Sequence, residues 1–155
     1  MHNESFGRLI ACLHRNARGY FEKELSQFGL GSGTHVFLVA LFHHDGISQN
    51  ELTKELNFNK ANTTRAIKKL MDLGYVKRER DKHDSRAWRI FITPKAKKIA
   101  PQIISTLHSW SDILSTGFTP KEKKMAMDLL KKMAENALFY KNSKINQKVK
   151  RVSNG

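Results

Sequence analysis

Apolar residues recur along the first part of the chain at the spacing of an amphipathic helix. Across Phe6–Phe28 an apolar side chain occurs every three or four residues, which places these side chains on one helical face. Three glycines within residues 29–33 end this helix. The next segment, THVFLVALFHHD, is apolar on nearly all sides, which predicts a second, buried helix ending at Asp45.

Helix-capping signals divide the following segment into two short helices. Ser48 and Glu51 form a capping-box pattern, in which each side chain hydrogen-bonds the backbone N–H of the other residue. After an interruption at NFN, Asn59 is suited to cap a helix over Lys60–Leu73, and Gly74 is suited to end it. The predicted inner face of this helix consists of Thr63, Ala66, Ile67 and Leu70.

A β-hairpin with a charged tip is predicted next. Val76–Arg80 forms one strand, and in the second strand Trp88, Ile90 and Ile92 occupy alternate positions and would anchor one face to the core. The residues between the strands, DKHDSRA, are too many for a two-residue turn and mostly charged. Such a tip is either simply solvated or in contact with a negatively charged partner.

Two long helices are predicted after the hairpin, each beginning with a Thr-Pro pair. Thr93 is a cap followed by proline at the first helical position, and Thr119–Glu122 forms a second capping box after Gly117. The stripe of the first helix consists of Ile99, Ile103, Leu107, Trp110 and Leu114. The second is predicted to bury Met125, Leu129, Met133 and Ala137. It is predicted to end near Tyr140, and the basic residues after it are predicted to fray.

Composition adds an electrostatic expectation to this mainly α pattern. The 155 residues favour one domain, and 28 Lys and Arg against 14 Asp and Glu give a net charge of +14. A pI near 10.1 is typical of nucleic-acid-binding proteins, although membrane surfaces and RNA also attract basic proteins. A single cysteine, no signal-peptide pattern and no apolar run longer than Val36–Phe42 predict a cytoplasmic protein without membrane contact.

The two short helices with their tight connector form a helix-turn-helix pattern, and the second is the candidate recognition helix. Asn and Arg can form paired hydrogen bonds with base edges, and Lys and Thr suit phosphates as well. Across Asn59–Leu73 the only acidic residue is Asp72, whereas an ordinary solvated face mixes both signs. Followed by the hairpin, this pattern predicts a winged helix-turn-helix, an α+β fold. The candidate DNA contacts on the helix are Lys60, Asn62, Thr64, Arg65, Lys68 and Lys69.

Residues 75–93, YVKRERDKHDSRAWRIFIT, resemble the wing of the MarR family of transcriptional regulators. The similarity consists of the pair Tyr75-Val76, an arginine at 78 or 80, Asp81, the run Asp84-Ser85-Arg86, and an aliphatic strand ending in Thr93. The preceding helices, NELTKELNFNKANTTRAIKKLMDLGYV, are similar to the family as well, and the resemblance extends over about Phe6–Tyr140. The family's glycine shortly after the threonine is replaced here by Ala96.

The resemblance implies a single MarR-type domain over residues 1–155. Its parts would be a DNA-binding lobe at about 33–96, dimerisation helices at about 5–28 and 94–142, and a basic tail at 143–155. A homodimer would place its recognition helices in successive major grooves of double-stranded DNA, on a pseudo-palindromic operator. Arg86 would enter the narrow, electronegative minor groove, and Asp84 would hold it or its neighbour through a carboxylate–guanidinium contact. The implied function is that of a repressor released by a ligand.

A small aromatic or anionic effector between the dimerisation helices and the DNA-binding lobe is also implied. Its candidate contacts are His14, Arg15, Arg18, His35 and Trp110; alternatively, Trp110 is dimer core and the arginines are solvated. Cys12 is either an oxidant sensor or a small core residue between Ala11 and Leu13.

No clustering of histidine and cysteine predicts a metal site, and no cofactor or catalytic motif is present, so an enzyme is not expected. Two other functions fit the residues. The charge of +14 also suits an architectural protein that coats DNA regardless of sequence. The basic winged helix could instead dock an acidic protein.

Overall fold

The computed structural model describes residues 5–31 and 33–153 and contains helices and one two-stranded antiparallel sheet, which confirms the predicted fold class. Two compact units are present, one comprising the described residues up to Ser111 and the other beginning at Asp112. The elements are α1 (Phe6–Glu24), a short 3-10 helix (Ser26–Phe28), α2 (Thr34–His43), α3 (Gln49–Glu55), α4 (Lys60–Asp72), β1 (Val76–Arg80), β2 (Trp88–Ile92), α5 (Pro94–Leu114) and α6 (Pro120–Ser153).

The end of α1 differs from the prediction of a helix reaching Phe28. The chain leaves the α-helix at Leu25, continues as the 3-10 helix, and reverses at Gly29, which has a left-handed backbone with φ of 73°. Leu25 and Leu30 are both fully buried, so this compact reversal brings both side chains into the core. The left-handed backbone favours glycine here, and a β-carbon at position 29 would also lie only 2.9 Å from Leu73 Cδ2, which would have to shift.

The last helix is longer and less buried than predicted. Instead of ending near Tyr140 and fraying, α6 continues to Ser153. Residues 141–153 contain neither glycine nor proline and include four Lys and one Arg, which favour helix, so nothing local stops it. Met125, Leu129 and Ala137 were expected to be buried, but they are exposed in the single chain, and Met133 is only partly buried.

The core of the first unit lies where α2, α3, α4 and the hairpin meet. Leu38 and Leu41 from α2 are fully buried, as expected for a helix that is apolar on nearly all sides. Leu52 from α3, Leu70 from α4 and Ile90 from β2 complete this centre. Ile92 packs partly buried against the core, but Trp88 does not belong to it, so its predicted anchoring role is wrong.

The hairpin is attached along one edge to the connection before α3. Val76 pairs with Ile92 at its base and Arg80 with Trp88 near its tip. On the other edge of β2, the Gly46 N–H donates to the Ile90 carbonyl at 2.8 Å, and the Ile90 N–H donates to the Ile47 carbonyl at 3.0 Å. These bonds fix the wing to the helix-turn-helix. Among the described helices, none is both long and apolar enough to cross a membrane.

Candidate nucleic-acid interface

The two helices of the helix-turn-helix begin as their capping signals predict. The Ser48 hydroxyl accepts from the Glu51 N–H at 3.2 Å, and the Glu51 carboxylate accepts from the Ser48 N–H at 3.0 Å. At the start of α4, Asn59 Oδ1 accepts from the Asn62 N–H at 2.7 Å. Both caps satisfy backbone groups that the first helical turn leaves unpaired, so they define where each helix starts.

Polar side chains connect α3 to α4. The hydroxyl oxygens of Thr53 and Thr63 lie 3.0 Å apart, and Gln49 Nε2 donates to Thr64 Oγ1 at 3.1 Å. Thr64 in turn donates to the Lys60 carbonyl at 2.8 Å. The Thr64 hydroxyl therefore contributes to the packing of the two helices, and its contact with DNA stays a prediction.

The outer surface of α4 is basic, and its inner surface is apolar. Thr63, Ala66, Ile67 and Leu70 are all buried, which confirms the predicted inner face. The candidates Lys60, Arg65, Lys68 and Lys69 are exposed, and Asn62 is partly buried. The Arg65 guanidinium donates to Asn62 Oδ1, which limits the orientations that this arginine can adopt.

Helical spacing separates the candidate residues of α4 into a centre and a flank. Arg65 and Lys68 lie at the centre of the exposed face, in line with Ala61 and Asp72. Asn62 and Lys69 lie toward α2, where they line a cavity of about 310 Å³ together with Arg65 and residues of that helix. Ala61 was not among the predicted contacts, although its place at the centre follows from helical spacing alone.

Asp81 organises the wing, a role that sequence reasoning did not assign. It is only 9% exposed, and its Oδ1 accepts from the N–H groups of His83 at 2.7 Å and Asp84 at 3.1 Å. Its Oδ2 accepts from the Arg89 guanidinium, which also donates to the Gly46 carbonyl at 2.9 Å. The hydrogen bonds from the His83 N–H, Arg89 and the Asp84 N–H lower the pKa of Asp81 to about 2.

Asp84 and Arg86 do not form the carboxylate–guanidinium contact that the resemblance implied. Asp84 Oδ1 instead accepts from the backbone N–H of Arg86 at 3.0 Å, because a side chain two residues earlier reaches the backbone of a turn more readily. Within the described residues, the structure records no hydrogen bond or ion pair of the Arg86 guanidinium. The wing tip is therefore fixed through its backbone, and the arginine projects from it, exposed.

Two further arginines lie against the ring of Trp88. The guanidinium carbon of Arg78 is 4.1 Å from the ring centroid, and that of Arg80 is 3.9 Å from it. Arg80 also donates to the Ser85 carbonyl at 2.7 Å, which links β1 to the tip. Trp88 therefore contacts these two guanidinium groups and not the core.

The first unit contains a second cavity, of about 490 Å³, between α1 and the start of α2. Three of the five predicted effector contacts line it, namely His14, Arg18 and His35. Arg15 is not among its lining residues, and neither is Trp110, whose ring stacks on Tyr20 with centroids 5.0 Å apart.

His35 is the most enclosed polar residue of this cavity. It is 7% exposed, its Nδ1 has no hydrogen-bond partner within the described residues, and burial lowers its pKa. The centroid of its ring lies 4.6 Å from the ring centroid of Phe21. An uncharged imidazole with a free nitrogen can donate to or accept from a bound molecule, depending on its tautomer.

Cys12 is exposed, which contradicts its interpretation as a small core residue within a single chain. It lies on the outer surface of α1, where Asn16 Nδ2 is 3.6 Å from its sulfur. In the part of the chain that the structure describes, no group of three His, Cys, Asp or Glu side chains could hold a metal ion.

A capped two-helix motif joined by main-chain bonds to a hairpin defines a winged helix-turn-helix protein. A family model described as MarR family matches residues 28–87. A MarR transcriptional regulator of Methanosarcina mazei Go1 has a solved structure that is 38% identical, with a TM-score of 0.82 over 86% of this chain and 96% of that one. The chain belongs to the MarR family of transcriptional regulators, which confirms the resemblance and the expectation of a regulator.

Two further relatives are also transcriptional regulators. The transcriptional regulator BilQ of Clostridioides difficile is 29% identical over 121 residues, which are 78% of this chain and 82% of that protein. A MarR-family regulator of Listeria monocytogenes, solved in complex with a 26mer DNA, is 28% identical. Its TM-score is 0.81 over 86% of this chain and 89% of its own. These relatives are regulators and not enzymes.

Proposed function

We propose that this regulator binds a pseudo-palindromic operator in double-stranded DNA as a homodimer and represses transcription from it. The observation that carries the proposal is the basic outer surface of α4, whose only acidic residue is Asp72 in the last turn. The similar Listeria regulator solved with DNA supports the same function. A regulator of this kind would act in the cytoplasm.

Different residues would have different tasks at the operator. Arg65, oriented by Asn62, suits the edge of a guanine in the major groove, while Lys60 and Lys68 suit phosphates. Arg86, exposed at the wing tip, suits an adjacent narrow minor groove. Asp84 would act indirectly by fixing the backbone at Arg86.

We expect Arg65→Ala and Arg86→Ala each to weaken operator binding by about 1–3 kcal/mol, because each removes a contact with the bases or the groove. Binding is measured by fluorescence anisotropy on an operator selected from random duplexes. Lys121→Ala, which removes an exposed positive charge from the first turn of α6, is the control. Both arginine variants binding as tightly as the parent would exclude this interface.

An architectural, sequence-indifferent role is the second candidate, favoured by the net charge of +14. The same assay separates the two functions when selected and random duplexes are compared at one salt concentration. A repressor should prefer its operator by more than about 10³-fold, as specific DNA-binding proteins do. A preference near unity would favour the architectural role, and no duplex binding even at low salt would favour docking of an acidic protein.

The proposed homodimer would form through apolar helix surfaces that a single chain leaves exposed. Phe6, Leu9 and Leu13 project from α1, and Leu129 and Phe139 project from α6, all of them exposed. Exposed apolar patches of this kind usually mark an interface. The sequence analysis assigned the same dimerisation role to the helices at about residues 5–28 and 94–142.

The cavity lined by His14, Arg18 and His35 is the proposed effector site. Arg18 supplies a positive charge that lies 3.6 Å from a carboxylate oxygen of Glu22, which also lines the cavity, so a bound anion would compete with Glu22 for Arg18. His35 supplies a buried nitrogen without a hydrogen-bond partner among the described residues, beside the ring of Phe21. These groups suit a small aromatic anion. Cys12 remains a candidate oxidant sensor because its thiol is exposed.

Benzoate is a suitable probe of the effector site. We expect Arg18→Gln and His35→Phe each to weaken benzoate binding at least about tenfold, the change produced by losing one charged or polar contact of about 1.4 kcal/mol. Arg8→Gln, on the same helix but outside the cavity lining, is the control in isothermal titration calorimetry. Unchanged affinity in both cavity variants would exclude this cavity as the site.

A further inference from the structure

One face of the wing carries two arginines and a tryptophan that the operator contacts described above do not use. Arg78 and Arg80 are two residues apart on β1, so they project from the same face of the hairpin, and Trp88 pairs with Arg80 on that face. We call Arg78, Arg80 and Trp88 the arginine–tryptophan cluster. Both guanidinium groups lie about 4 Å from the one ring, at 4.1 and 3.9 Å.

The cluster has an unbalanced positive charge. Among the described residues, neither Arg78 nor Arg80 forms an ion pair with a carboxylate. Glu79 lies on the opposite face of the hairpin, where it pairs with Lys77 at 2.8 Å. Two positive charges therefore lie beside one ring without a paired carboxylate among the described residues, so the cluster is suited to an anion that approaches from solvent.

The geometry also indicates which anion fits. A guanidinium that lies over a ring face can direct its N–H groups outward, where they can form paired hydrogen bonds with a phosphate. Arg80 uses one donor for the Ser85 carbonyl and retains the others. Because both arginines cover the ring of Trp88, that ring is not available to stack on a base.

We propose that the arginine–tryptophan cluster binds the sugar–phosphate backbone of DNA beside the groove that Arg86 enters. This inference rests on the proposed DNA binding and adds a sequence-independent contact to it. Trp88 holds both guanidinium groups in orientation before DNA arrives. The cluster thus increases affinity and sets the angle of the wing without selecting bases.

The salt dependence of binding tests this proposal. The logarithm of the DNA-binding constant falls linearly with the logarithm of the salt concentration, and each phosphate contact adds about 0.9 to the steepness of this fall. Arg78→Gln and Arg80→Gln should therefore each make the slope shallower by about 0.9. Operator and random duplexes should lose affinity by the same factor, which leaves their ratio unchanged. Lys77→Gln, on the same strand but the opposite face, should have a smaller effect on the slope than either arginine variant.

Two further measurements separate phosphate binding from a purely structural role. Arg78→Lys keeps the charge and should keep the slope, whereas Arg78→Gln should not. In a Trp110→Phe background Trp88 is the remaining tryptophan of the two in the sequence, and its emission should change when duplex is added.

Three outcomes have distinct meanings. Reduced slopes in both glutamine variants, with the operator preference retained, support the cluster as a phosphate-binding surface. Parent-like slopes in both variants, together with a retained operator preference, would overturn the cluster and leave the proposed function intact. Failure of the parent protein to bind any duplex at low salt would overturn the proposed function and this surface with it.

Discussion

At the scale of single residues, the wing depends on Asp81. Its carboxylate accepts hydrogen bonds from two backbone N–H groups of the tip and from Arg89. Because Arg89 also donates to the Gly46 carbonyl, one carboxylate links the tip to the connection before α3. These bonds favour the charged form, which is why the pKa of Asp81 falls from 3.8 to about 2.

We expect Asp81→Asn to destabilise the protein at neutral pH, since the amide keeps one acceptor but loses the charge. The stabilisation by Asp81 should be fully present above pH 4 and lost as the pH falls through about 2, because its folded pKa is lowered. Urea unfolding of parent and variant at pH 7, 4 and 2.5 measures this. A stability difference of equal size at pH 7 and 2.5 would contradict the role of the charge.

The residue scale is also where the sequence was least informative. The basic face of α4 was predictable because it depends on helical spacing alone. The pairing of Arg89 with Asp81 was not predictable, because Asp81 lies eight residues away across a turn whose backbone conformation the sequence does not define. For the same reason the resemblance placed the carboxylate–guanidinium contact at Asp84, whereas the structure has it at Asp81.

At the scale of elements, local capping signals in the sequence predicted most of the helix starts correctly. The caps at Ser48, Asn59 and Thr119 each involve groups within three residues, and all three form as predicted. Helix ends were harder. The end of α1 depends on the burial of Leu25 and Leu30, which is a tertiary effect, and α6 continues past Tyr140 because nothing local stops it.

We expect Asn59→Ala to lower the free energy of unfolding by about 1 kcal/mol, because the first turn of α4 loses its side-chain cap. Asn59→Asp keeps an acceptor at this position and is the control for stability. Denaturant unfolding followed by circular dichroism gives both values. Equal stability of the alanine variant and the parent would mean that water replaces the cap without loss.

At the scale of the whole molecule, the uneven distribution of apolar surface is the main feature. The centre of the first unit is fully buried, whereas in the second unit Met125, Leu129 and Leu130 on α6 are exposed. Exposed apolar surface that is concentrated on one helix usually marks an interface with a partner. A second copy of the chain is the partner that the proposed dimer supplies.

We expect Leu129→Glu to shift the protein from dimer to monomer, because a charge placed in an apolar interface loses its hydration without gaining a partner. Analytical ultracentrifugation over a range of concentrations gives the dissociation constant. Lys131→Glu, at an exposed polar position of the same helix, is the control. A dimer of unchanged strength in the leucine variant would place the interface elsewhere.

The division of α4 into two surfaces affects how such a regulator can acquire new targets. Buried residues such as Ile67 and Leu70 stabilise the fold, whereas the exposed side chain of Lys68 does not pack in the core. Substitutions of the outer residues should therefore cost little stability, and under the proposed operator contacts they would change the preferred operator. Arg65 differs from Lys68 because its guanidinium is bonded to Asn62, so under the same proposal a substitution of Asn62 would also change how Arg65 is presented to the operator.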